Sequence, residues 1–157
     1  MYLAFLSLHN VLRWFILLFA ILALVRAYAG WFGRKDWTRA DDRASLLYTI
    51  VLDVQFLVGF VLYFVLSPIT TGALRNFGAA MANNGVRFFA VEHAAVMLVA
   101  VILAHVGRSV ARKESGPGRH QRTAIWFTLS LLLVLASIPW PFFSTGRPLL
   151  RLLGFEI

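Results

Sequence analysis

Long apolar runs separated by short polar stretches dominate the chain, and four of them stand out at approximately 3–29, 45–66, 88–107 and 123–143. Each is long enough to cross about 30 Å of hydrocarbon as a helix. A bilayer leaves the backbone only helices or a closed barrel, and these runs lack the strict alternation of barrel strands. The pattern therefore predicts an all-α, four-helix transmembrane bundle. Ser67-Pro68 ends the second run, and Pro139 and Pro141 in "IPWPFF" break the fourth near its end, because proline removes a backbone donor and clashes with the preceding turn. The stretch "GAAMANNG", 78–85, reads as a loop; it lacks the lysine and the strand-to-helix setting of a phosphate cradle.

Composition agrees with lipid as the surroundings. The chain is 60% hydrophobic and 14% charged, with the charge gathered into a few connectors, which is the balance of a single integral membrane domain over 1–157. Four spans use up nearly the whole length, so little is left for a soluble catalytic domain. Cysteine is absent, which excludes disulfides, thiolate chemistry, iron–sulfur clusters and covalent c-type haem attachment. A formal charge of +8 suggests nucleic acid in a soluble protein, but beside apolar spans, and without base-stacking aromatics among the basic residues, it reports orientation and anionic headgroups instead.

The charged connectors predict the topology. "GRKDWTRADDR" carries Arg34, Lys35, Arg39 and Arg43, and "GRSVARKESGPGRHQR" carries Arg108, Arg112, Lys113, Arg119 and Arg122. The connector between them, about 67–87, holds only Arg75 and Arg87. Positive residues stay inside, so the first and third connectors are expected on the cytoplasmic side and both termini outside. The N-terminus has no charged leader region or cleavage site and reads as a retained span. "GRPLLRLLGFEI" is amphipathic and is expected on the outer surface or against a partner.

Ionisable groups inside spans are costly and mark function or a pair. They are His9, Arg13, Asp53, Glu92, His93 and His105, with Arg26 snorkelling to the cytoplasmic edge. His9 lies roughly 9 Å below the outer end of the first run and His93 roughly 8 Å below that of the third, at 1.5 Å per residue. Gly59 falls roughly 10 Å from the outer end of the second run, where a missing side chain lets a flat ligand approach the backbone. Two neutral imidazoles at one depth on different helices are the ligand set of six-coordinate b-type haem. Asn10 is then a candidate to orient a ligand ring, and Arg87, or in its place Arg75, to meet the propionates. The alternative for both histidines is a structural hydrogen bond between helices, worth about 0.6 kcal/mol each.

His105 lies 12 residues beyond His93, about 18 Å deeper, with no opposing histidine in another span. One haem is therefore expected; a second would need His120 to fold back from its connector, and His105 otherwise serves as an interfacial or proton-handling residue. Arg13 and Asp53 both come out near mid-membrane and are expected to form a salt bridge, with a proton- or quinone-linked role as the alternative. Glu92 points about 100° away from His93 and has Arg13, a partner protein or protonation as its alternatives. Met97 shares the His93 face, where core packing is the simpler role.

"LHNVLRW", "FFAVEHAAVM", "LAHVGR" and "IPW" resemble a group of small bacterial four-span membrane proteins described as cytochrome b-like. In architecture the chain is also similar to the haem-bearing membrane anchors of respiratory enzymes and to membrane b-type cytochromes. That resemblance implies His9 and His93 as axial ligands, electron transfer within a respiratory or photosynthetic complex in a bacterial inner (cytoplasmic) membrane, and quinone as a candidate further partner. With both axial positions filled, chemistry at the iron is not expected, so the chain is not read as an enzyme. The competing expectation is a cofactor-free structural subunit. A proton-coupled transporter using Asp53, Glu92 and His105 is weaker, since the spans show neither mid-depth breaks nor an inverted repeat.

Overall fold

In the computed structural model, which describes residues 1–152 and 155–156, the chain is almost entirely helical. Helix α1 runs Tyr2–Phe32, and α2 runs Arg39–Val61 and continues through a π-helical turn, Leu62–Leu66. Three short helices follow, α3 (Pro68–Arg75), α4 (Phe77–Ala82) and α5 (Asn84–Arg87). A second π-helical turn, Phe88–Glu92, leads into α6 (His93–Ala111), and α7 spans Gly116–Ser137. Strand β1 (Arg151–Leu152) pairs antiparallel with β2 (Phe155–Glu156), placing Arg151 opposite Glu156.

Three helical segments, Tyr2–Phe32, Arg39–Leu66 and Asn84–Ala111, are long and apolar enough to cross a membrane. Helix α7 is not among them, because its first turns carry Arg119, His120 and Arg122. Its bounds also correct the expected run 123–143: the helix begins at Gly116 and stops at Ser137, before Pro139. The connector 67–87 is helical instead of a loop. Ser67, Asn76 and Asn83 each accept a hydrogen bond from a backbone N–H three residues on, at Thr70, Ala79 and Val86, so each starts a new short helix.

The long helices form a ring in which α1 contacts α2 and α7, α7 contacts α6, and α6 contacts α2. Small side chains make this possible. Ala20, Ala23 and Ala27 on α1 and Ala100, Ala104 and Ala111 on α6 are buried at three- to seven-residue spacing, one face of each helix. Tyr48 donates to Ser130 Oγ at 2.8 Å, and Ser130 in turn donates to the Ala100 carbonyl at 2.8 Å. The outward faces carry the large apolar residues: Leu18, Ile21, Val25, Leu57, Val65 and Leu132 are all more than half exposed. A core of alanine and serine beneath a surface of leucine and valine is what packing against lipid produces.

One end of the ring is held by charge. Thr38 and Asp41 form a reciprocal capping box at the start of α2, and Arg26 donates to Asp41 at 2.8 Å. Asp42 receives Arg119 at 2.9 Å and Arg108 at 3.3 Å, joining α2, α6 and α7. His9, His93 and the C-terminal segment occupy the opposite end.

Candidate functional site

His9 sits on α1, and His93 is the first residue after the π-helical turn that opens α6. Their ring centres are 6.2 Å apart, with the planes at 66°. Each has a support from a third element. Gln55 on α2 donates to the His9 carbonyl at 2.9 Å. His93 Nδ1 lies 2.9 Å from the carbonyl of Ser137, the last residue of α7. A carbonyl only accepts, so Nδ1 carries the proton and Nε2 keeps its lone pair free. His9 Nδ1 is buried and has no hydrogen-bond partner among the described residues.

Gly59 lies against His9: a Cβ there would stand 3.2 Å from His9 Cε1. The glycine thus makes room for the histidine itself, where the sequence suggested room for a flat ligand. Both π-helical turns border this end. Tyr63, in the first, donates to the Ala90 carbonyl in the second at 2.6 Å, and Thr70 donates to the Tyr63 carbonyl at 2.7 Å. A π turn leaves carbonyls out of the regular ladder, and here side chains take them up.

The two histidines line a cavity of about 780 Å³ between α1, α2 and α6, whose walls include Phe56, Phe60, Phe89, Met97 and Leu98. Among the described residues no aspartate or glutamate lines it, whereas Arg13, Arg147 and Arg151 do. Among the described residues no group of three or more His, Cys, Asp or Glu side chains is placed to hold a bare metal ion. Two imidazoles beside a large apolar space instead fit a metal that brings its remaining donors with it, as a porphyrin does.

Several expectations need correction. Arg13 and Asp53 do not pair: Arg13 donates to the Leu149 carbonyl, and Asp53 Oδ1 lies 2.7 Å from His105 Nε2. The reason is rotational. Gln55 faces His9, so Asp53, two residues earlier and about 200° around α2, faces away from α1 and toward α6. Asn10 does not orient a ring; its Nδ2 donates to Pro148 O at 3.2 Å and its Oδ1 accepts from Arg151 N at 3.1 Å. Arg87 pairs with Glu92 at 2.8 Å, one π-helical turn away, and neither Arg87 nor Arg75 lines the cavity. Glu92 is thereby also assigned to Arg87, not to Arg13.

His120 is on α7, not in a connector, and is buried against Gly30 and Trp37, far from the cavity lining. The cavity arginines at 147 and 151 escaped the sequence reading because their position depends on the chain folding back after Pro139. Their only signal was the charge in "GRPLLRLL". No family profile, curated protein or solved structure matches the chain.

Proposed function

We propose that the protein is a membrane electron-transfer subunit holding one b-type haem between His9 and His93. The reading rests on two imidazoles from different helices, 6.2 Å apart, at a mostly apolar cavity of about 780 Å³. His9 and His93 would hold the metal of such a group, and the apolar cavity walls would take its ring. When bound, the group supplies one-electron redox chemistry at a potential tuned by axial ligands, hydrogen bonding and burial.

The chain's own residues divide the remaining work. Ser137 fixes the tautomer and orientation of His93, Gln55 holds the His9 backbone, and Gly59 lets His9 lie close to α2. Phenylalanine and leucine side chains give the cavity beside the rings its apolar walls. In this reading α7 is a fourth span, the protein is multi-pass in a bacterial inner membrane, and the arginine-rich connectors face the cytoplasm with both termini outside. Its partners are subunits of a respiratory or photosynthetic complex, with quinone as the electron-exchanging small molecule. It is not an enzyme.

A second reading, a cofactor-free structural subunit, is favoured by the His93–Ser137 hydrogen bond, which is also a plain tie between α6 and α7. Full-length protein purified in detergent from haem-replete cells separates the two. The haem reading expects one haem per chain and its loss in His9→Ala and His93→Ala variants that keep their helical circular dichroism. A colourless wild type supports the structural reading.

A further inference from the structure

The cavity has a cationic end formed by the segment that follows α7. Arg147 N donates to the Pro139 carbonyl at 3.0 Å, which turns the chain back toward the ring of helices. From there the segment is tied along α1. Asn10 donates to Pro148 O at 3.2 Å, and Trp14 Nε1 and Arg13 both donate to the Leu149 carbonyl. Asn10 also accepts from Arg151 N at 3.1 Å, so one asparagine holds the segment at two points. This places Arg147 and Arg151 in the cavity wall beside Arg13.

The charges are unequal in their surroundings. Arg13 is 7% exposed, meets carbonyl oxygens, and its Nε is buried without a hydrogen-bond partner among the described residues. Arg147, exposed at the rim, lies with its guanidinium 4.8 Å from the centre of the Phe89 ring, and Phe89 is 6.3 Å from the His93 ring. Among the described side chains the cavity wall carries arginines and no acidic group, which suits it electrostatically to an anion. Its other walls are apolar and aromatic, so a fitting ligand has a broad apolar body and acidic groups at one edge.

We propose that Arg147, with Arg13, forms a carboxylate-binding subsite that takes the acidic edge of the ring ligand held between His9 and His93. This rests on the haem reading, in which the acidic edge is the pair of propionates, and it moves that role from Arg87 and Arg75 to the C-terminal segment. Arg147 is the residue to test, because it makes no side-chain hydrogen bond or ion pair within the described chain and its loss leaves the ties to α1 in place.

Full-length protein prepared without haem in detergent is titrated with iron protoporphyrin IX and with its dimethyl ester, which keeps the ring and lacks the charges. Binding is followed by the Soret band. Wild type is expected to bind the acid about tenfold or more tighter than the ester, and Arg147→Gln to remove most of that preference while leaving ester binding unchanged. Arg147→Lys is expected to restore part of it. Equal affinity of wild type for acid and ester, or an equal loss of both in Arg147→Gln, overturns the subsite while leaving the histidine pair intact. Failure of wild type to bind either compound overturns the haem reading and the subsite with it.

Discussion

Gly59 sets how near His9 can lie to α2. With a Cβ at 3.2 Å from His9 Cε1, Gly59→Ala is expected to push the ring aside by a few tenths of an ångström without unfolding the helix. The expected readout is about tenfold weaker haem binding in titration at unchanged helical circular dichroism. Unchanged binding would remove the glycine from the site. The Asp53–His105 pair raises a different question, because both side chains are about half exposed on an apolar face. Each single leucine substitution is expected to lower stability in detergent by about 1–3 kcal/mol by stranding its partner. The double substitution Asp53→Leu with His105→Leu should recover most of that loss in thermal unfolding, since replacing both partners of a hydrogen bond by apolar groups is often nearly neutral. The histidine pair was legible in the sequence because depth follows from counting residues along a helix. The partners of Arg13, Asp53 and Arg87 were not, because they depend on which way each helix is turned and on the register added by the π-helical turn before His93.

At the next scale, the helices are arranged by small residues that sequence alone shows only as apolar runs. Gly30 on α1 receives the His120 ring of α7 so closely that a Cβ would lie 2.3 Å from it. Gly30→Ala therefore overpacks the α1–α7 contact, with an expected loss of about 1–3 kcal/mol in thermal unfolding. A variant as stable as wild type would show that α7 can shift outward without cost. The first three apolar runs located their helices, with the start of α2 at Arg39 lying six residues before the expected 45 because its first turns are charged. The start of α7 was missed because its first turns are basic, and the short helices after Ser67 were missed because their caps, Ser67, Asn76 and Asn83, also occur in loops.

For the molecule as a whole, the pattern of alanine inside and leucine outside and the segregation of charge to one end set the proposed orientation. The chain has no cysteine, so single cysteines report topology cleanly. Lys113→Cys is expected to react with a membrane-impermeant maleimide only after cells are opened, and Gly78→Cys in intact spheroplasts. The reverse labelling would invert the topology. The central claim is that His9 and His93 close both axial positions of one haem. Its most direct test is the reduced-minus-oxidised visible spectrum of the purified protein, recorded with and without carbon monoxide. The account predicts sharp b-type α and Soret bands that carbon monoxide leaves unchanged. A featureless spectrum, or bands that shift with carbon monoxide, would contradict it.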